Sequence, residues 1–144
     1  MPLNLPARPE TIVAWGIDLG TTNTTLCCAS LPAGATSPTE PEVVALPQQT
    51  IAGTHIGSLL PSIVAIHEGR EFVGQGAKDL RALMADPKYR LSRNVNLFYE
   101  CKNEIGTARH YPNAQAGYRS PTDIAARILA YIRREGICGG GGDN

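Results

Sequence analysis

Trp15-Gly16-Ile17-Asp18-Leu19-Gly20-Thr21-Thr22-Asn23-Thr24-Thr25-Leu26-Cys27-Cys28 is the stretch on which the rest of the chain is read. It divides into a strand, a short polar turn and a returning strand. Val13, Trp15, Ile17 and Leu19 alternate with Ala14, Gly16 and Asp18, which is the two-residue period of a β-strand. Gly20-Thr21-Thr22-Asn23 carries Gly and Asn, residues that accept unusual backbone angles, beside two hydroxyls. After the turn, Thr24, Leu26 and Cys28 alternate with Thr25, Cys27 and Ala29.

This arrangement suits a polyphosphate. Gly20 has no Cβ, so an anion can approach its backbone, and successive N–H groups in a tight turn can converge on that anion. Thr21 and Thr22 add neutral donors. Asp18 would repel a phosphate unless a cation lies between them, which points to Mg²⁺ held through its retained waters. A plain hairpin with a Thr-rich turn and a surface Asp has the same spacing, and the spacing alone does not separate the two.

Composition narrows the classes. The 144 residues are enough for one modest domain. Thirteen basic and thirteen acidic residues cancel, leaving no electrostatic footprint for nucleic acid or an anionic membrane. No run approaches the roughly 18 apolar residues of a membrane-spanning helix. The opening Met1-Pro2-Leu3-Asn4-Leu5-Pro6 is too short and Pro-broken for a signal peptide. These features predict a cytoplasmic protein. Cys27, Cys28, Cys101 and Cys138 contain no C-x-x-C, and His55, His67 and His110 are scattered. The cysteines read as small buried apolar residues, not as a zinc or disulfide framework.

Along the chain, residues 1–11 read as a flexible leader and 12–29 as the phosphate hairpin. Residues 31–41 form a Pro-rich connection. Glu42 to Leu46 is a short β-rich run ended by Pro47, and residues 48–58 read as a loop. Leu59 to Ile66 is a second strand, with Pro61 keeping its start off a central ladder. Glu68-Gly69 turns the chain and Glu71-Phe72-Val73 returns. A short helix is expected over 77–85, stopped by Asp86-Pro87. Residues 88–119 have weak periodicity.

The last element is the best-defined helix. Ser120 is a good N-cap, Pro121 suits the first helical position, and Asp123 stands where a capping box needs an acid. Ile124, Ala125, Ile128, Leu129 and Ile132 form an apolar stripe expected to pack on the hairpin's sheet. Gly136 fits a helix-ending position. Gly139-Gly140-Gly141-Gly142, in a tail over 138–144, is expected to be disordered; it lacks the Lys-Ser and following helix of a P-loop.

Gly16-Ile17-Asp18-Leu19-Gly20-Thr21-Thr22-Asn23 resembles the first phosphate motif of the 70-kilodalton heat-shock chaperones (DnaK-type), members of the actin, sugar-kinase and chaperone ATPase superfamily. Val73-Gly74-Gln75-Gly76-Ala77-Lys78 resembles a second segment of that family, after a Pro-Ser strand and a hairpin. Leu97 to Gly106 is similar to the stretch carrying the family's catalytic lysine, which falls at Lys102. Asn103 and Glu104 depart from the family's basic and apolar residues, and an acid two residues from Lys102 could draw it away. The similarity covers most of residues 12–135 in the family's order.

The resemblance implies an α/β fold: the first lobe of an actin-like (ribonuclease H-like) ATPase, a mixed sheet with packed helices, incomplete here. It divides residues 12–137 into the hairpin 12–29, an inserted small subdomain over about 40–115 and a lobe helix over 121–135. It implies ATP or ADP with Mg²⁺ as cofactors. Asp18 would orient a magnesium-bound water, Gly20, Thr21, Thr22 and Asn23 would hold the β- and γ-phosphates, and Lys102 would hold the γ-phosphate and the attacking water. No second phosphate strand, adenosine pocket or substrate domain follows, so the expectation is a truncated N-terminal part of a chaperone ATPase. Its partners would be the missing second lobe or another chain, and in complete form co-chaperones and unfolded client proteins, with no nucleic acid and no membrane. Two other readings stay open. One is a non-enzymatic interaction module whose uncovered face binds a second chain or itself. The other is a sugar-kinase or actin-like relative, which the Thr-Thr-Asn turn and the Val73 to Lys78 segment disfavour.

Overall fold

The computed structural model describes residues 10–139. Residues 1–9 of the expected leader and 140–144 of the expected glycine-rich tail lie outside them. Among the described residues the chain order is β1 (Ile12–Leu19), β2 (Asn23–Leu31), β3 (Glu42–Val43), β4 (Leu46–Thr50), β5 (Gly53–Gly57), β6 (Leu60–Pro61), β7 (Ile63–His67), β8 (Arg70–Val73), helix α1 (Gln75–Ala82), β9 (Leu97–Tyr99) and helix α2 (Pro121–Ile132).

The opening stretch forms the hairpin that its alternation predicts. β1 and β2 pair antiparallel without interruption, from Ile12 opposite Leu31 to Leu19 opposite Thr24. The far edge of β2 carries β3 and, at the turn end, β6. β4 and β5 form a sheet of their own, and β7 lies between β8 and β9 in a third. Every ladder between these strands is antiparallel. The architecture is therefore mixed α and β with small antiparallel sheets, where a mixed sheet was expected. The connections explain the difference, because short hairpin turns link β1 to β2, β4 to β5 and β7 to β8, and a hairpin can only reverse the chain.

β7 is the centre of the packing. Ile63 and Ala65 face one cluster, with Phe72, Leu97, Ala77 and Leu80, the last two on α1. Val64 faces another, with Leu26, Leu60, Phe98 and the α2 residues Ile124, Ile128 and Ile132. The continuous apolar run Ile63-Val64-Ala65-Ile66 is thus covered on both faces. Its turn is Glu68-Gly69, and both residues have positive φ, 51° and 73°, the backbone that matches strand twist in a two-residue hairpin.

Residues 48–58 are a hairpin and not a loop. Their alternation is polar, which hid it: Gln48 is fully buried. Its Nε2 donates to the Leu59 carbonyl at 3.0 Å, and its Oε1 accepts the Gln75 amide at 2.8 Å. One side chain therefore satisfies the first turn of α1 and the segment after β5, so burial costs little. Pro47 does not end a strand; it sits inside β4 opposite Ile56, and its carbonyl accepts the Tyr131 hydroxyl. Helix α1 starts at Gln75, two residues before the expected Ala77, and ends at Ala82.

α2 begins as the sequence predicts. The Ser120 hydroxyl accepts the Asp123 amide at 3.1 Å, and the Asp123 carboxylate accepts the Arg119 amide at 2.9 Å. Its buried face is Ile124, Ile128, Tyr131 and Ile132. Leu129, placed on the stripe by spacing, is exposed instead, and Tyr131 is buried with its hydroxyl on the Pro47 carbonyl of β4. Gly136 does not stop the helix. The chain continues through a wider π-helical turn, Arg133–Ile137, with Gly136 buried inside it. A Cβ on Gly136 would collide with Leu26 and stand 2.8 Å from Leu46 Cδ2, so the glycine lets the helix settle onto the hairpin sheet. Of the cysteines, Cys101 alone is buried; Cys27 and Cys28 are half-buried and Cys138 is exposed. Ile128→Asp places an unpaired carboxylate between α2 and Leu26, so it should cost more than about 3 kcal/mol. Thermal melting checks this, and an unchanged midpoint would remove α2 from the core.

Candidate functional site

The turn joining β1 to β2 is held from outside by one residue. Ser62, buried at the junction of β6 and β7, donates from its hydroxyl to the Gly20 carbonyl at 2.7 Å. Its amide donates to the Thr22 carbonyl at 2.8 Å. The Ser62 and Thr24 hydroxyls share a third, buried hydrogen bond at 2.9 Å. These bonds reach both ends of the Gly20–Asn23 turn, and each removes a polar group that burial would otherwise strand. The sequence reading took Ser62 as part of a strand and gave it no role. The signal was a lone hydroxyl inside the apolar run from Leu59 to Ile66.

Gly20 is required for a different reason than the one expected. Neither Gly20 nor Asn23 has a positive φ, so the turn needs no left-handed residue. A Cβ on Gly20 would collide with the Asn23 carbonyl oxygen. The chain itself, folding back tightly, claims the space that a side chain would occupy. Among the described residues, no hydrogen bond takes up the Thr21 or Thr22 amide. Thr22 is exposed, and Thr21 and Asn23 are half-exposed, so the turn is not sealed under other side chains.

Lys102 comes to this turn from far along the chain. It lies on a 3-10 turn, Cys101–Glu104, next to β9. Lys102 and Gly20 line one crevice with Leu19, Ser62, Cys101, Ile105 and the α2 residues Ile124, Ala125 and Ile128. The Thr21 hydroxyl reaches the Asn103 side chain at 3.4 Å across it. The crevice has about 10 Å³ of water-accessible space, room for a single water. It is a seam beneath the turn and not a nucleotide pocket, so a phosphate chain would have to lie over its exposed rim.

The acid beside Lys102 does not draw it away. Glu104 is turned to Arg109 at 3.4 Å and accepts the Tyr111 hydroxyl at 3.0 Å. Lys102 is exposed and has no ion pair among the described residues. The Tyr111 hydroxyl also lies 3.4 Å from Cys101 Sγ. Burial pushes the Cys101 thiol up, and the same burial, with the neighbouring Cys101 and Glu104, raises the Tyr111 phenol. Both stay protonated, so this network anchors the lysine-bearing turn and supplies no nucleophile.

Asp18 is exposed and pairs with Thr25 across the hairpin. Strand alternation puts it on the sheet face opposite Leu19, so it stands near the turn but is not part of the crevice lining. Among the described residues, no group of three His, Cys, Asp or Glu side chains could enclose a metal. A single carboxylate fits an ion that keeps most of its waters, as Mg²⁺ does, and not one that needs a protein cage. The structure therefore brings Gly20 and Lys102 to one crevice, with Thr21, Thr22 and Asn23 on the adjoining turn and Asp18 on the far face. No protein-family model matches the chain. No helix among the described residues is long and apolar enough to cross a membrane.

Ser62→Ala removes the two hydroxyl bonds of the brace, keeps the amide bond to the Thr22 carbonyl, and leaves the Gly20 carbonyl and the Thr24 hydroxyl short of a partner. Urea unfolding should show a loss of about 1–3 kcal/mol. Thr21→Val, which removes only an exposed 3.4 Å contact, should cost less than about 0.5 kcal/mol. Equal costs for the two would show that the Ser62 hydroxyl holds nothing.

Proposed function

We propose that this chain carries the first-lobe phosphate site of a chaperone-type ATPase. ATP or ADP binds with Mg²⁺, and in complete form hydrolysis is coupled to the binding of unfolded client proteins with co-chaperone help. The observation that supports this most is the meeting of the Gly20–Asn23 turn with Lys102. Two uncommitted amides and two hydroxyls on the turn, with the unpaired Lys102 ammonium at the crevice beside it, form a set of donors that suits a phosphate chain once a cation offsets Asp18.

Each residue has a part. The Thr21 and Thr22 amides and hydroxyls, with the backbone of Gly20 and Asn23, hold the β- and γ-phosphates. Lys102 neutralises charge on the transferring phosphoryl group and positions the water that attacks it. Asp18, near the turn, would hold a hydrated Mg²⁺ through one of its waters, and the ion would supply charge neutralisation. Such a transition state is loose, so the protein's work is placement and electrostatics, with little covalent chemistry. Ser62 acts through the turn as a positioning residue.

The crevice offers no adenosine pocket, and contacts from one side alone are worth about 4 kcal/mol, a millimolar dissociation constant. Hydrolysis by the 144-residue chain should be negligible. Calorimetry with Mg-ATP tests this. The wild type should bind near millimolar, and Lys102→Ala should weaken binding at least fivefold at an unchanged melting midpoint, because Lys102 is exposed and unpaired. Micromolar binding by the wild type would overturn the half-site estimate. Equal affinity in the two proteins would remove Lys102 from the site.

A further inference from the structure

Lys102 meets the Gly20 side of the turn, and a second lysine stands at its Asn23 side. Lys78, on α1, lines an open hollow with Asn23, His55, Ser58 and Gln75. The hollow has about 350 Å³ of water-accessible space, room for part of a ligand where the Lys102 crevice admits a single water. No carboxylate lines it. Asp79, the next residue on α1, is occupied by the Gln75 side chain, whose Nε2 donates to it at 2.7 Å. Lys78 is exposed and makes no ion pair among the described residues, so its three N–H donors are free.

The backbone under Lys78 is fixed. Its amide donates to the Gly74 carbonyl at 3.0 Å, the Gln75 amide is held by the buried Gln48, and Gly76 and Ala77 are buried. The lysine therefore starts from a rigid turn of helix, as the phosphate turn starts from the Ser62 brace. The two sides of the phosphate turn also lie against each other, since a Cβ on Gly20 would collide with the Asn23 carbonyl oxygen. One short anion can touch the crevice side and the hollow side at once.

We propose that Lys78 holds the α-phosphate of the bound nucleotide. The inference rests on the phosphate reading of the turn and adds its direction. The γ-phosphate lies at Lys102, and the chain runs across the turn toward the hollow, where the Lys78 ammonium, the His55 ring and the Ser58 hydroxyl offer donors. A triphosphate is negative along its whole length, so a lysine at one end leaves the other uncompensated. Asp18 is the acid that register brings to this side, since Asn23 and Thr25 share a face of β2 and Thr25 pairs with Asp18. The hydrated Mg²⁺ assigned to Asp18 offsets it. Hydrolysis removes the γ-phosphate, so ADP gives up Lys102 and keeps Lys78.

Titration of the ¹⁵N-labelled full chain with Mg-ATP and with Mg-ADP, read at the Thr21 and Thr22 amides, tests this. Lys78→Ala should weaken both nucleotides about fivefold. Lys102→Ala should weaken ATP by at least as much and leave ADP within about twofold of wild type. Lys78→Arg should keep both affinities, and Lys88→Ala, in a separate hollow, should change neither. Wild-type affinities in Lys78→Ala, with ATP still dependent on Lys102, overturn the proposal and leave the phosphate reading standing. A loss of ATP alone in Lys78→Ala, or an equal loss of ADP in Lys102→Ala, reverses the direction and overturns it too. So does an equal loss in Lys88→Ala, which would show bulk charge at work. A wild type with no saturable shift for either nucleotide removes the phosphate reading and the proposal together. Should Lys78→Ala lose its folded circular dichroism, Lys78→Gln carries the same comparison.

Discussion

The Ser62 brace sets the geometry around which the site is built. It ties the β1–β2 turn, at the rim of one sheet, to the start of β7, the strand buried between both clusters of core residues. A turn of four residues with two uncommitted amides would sample many shapes if left alone, and each frozen residue costs about 1–2 kcal/mol of backbone entropy. Buried hydrogen bonds from a rigid strand offset part of that cost before any ligand arrives. Preorganisation of this kind is what lets backbone donors act on an anion. The turn's shape is thus inherited from the core and not from its own Thr and Asn residues.

Two further close approaches carry the brace outward. Gly136 lets the π-helical turn after α2 press onto Leu26 and Leu46, which fixes the hairpin sheet against the helix. The buried Gln48 amide joins β4 to the start of α1 and to the segment leading into β6, directly ahead of Ser62. Neither is an apolar contact of the ordinary kind. One depends on the absence of a side chain, the other on a polar group whose hydrogen bonds are met inside the core. Lys102 is placed separately: its 3-10 turn follows β9, packs on α2 and is anchored by Cys101 and Tyr111.

Much of this was legible from residue order. The alternation from Val13 to Cys28 gave the hairpin, Glu68-Gly69 gave the second reversal, and Ser120-Pro121 with Asp123 gave the start of α2. These are local signals, in which each residue's preference agrees with its neighbours'. The failures share a cause. The β4–β5 hairpin has a polar sequence whose buried member, Gln48, makes sense only once Gln75 and Leu59 are beside it. Leu129 has the spacing of a core residue, but Tyr131 took the inner position. Gly136 read as a helix stop because its real reason, the nearness of Leu26, is a tertiary fact. At the site, Gly20 and Lys102 were nameable from motif resemblance, while Ser62 was not, because a buried hydroxyl's partners are invisible until the strands are paired.

The central claim is that a turn shaped by the core, together with a lysine from a distant segment, recognises a chain of phosphates. Amide chemical shifts of the ¹⁵N-labelled full chain, followed during titration with magnesium triphosphate that carries no nucleoside, test it most directly. The account predicts saturable shifts concentrated on Gly20, Thr21, Thr22 and Asn23 and on Lys102 and Asn103. Shifts confined to another basic surface, such as the one formed by His67, Lys88 and Arg90, or no saturable shift at these six residues, would contradict it.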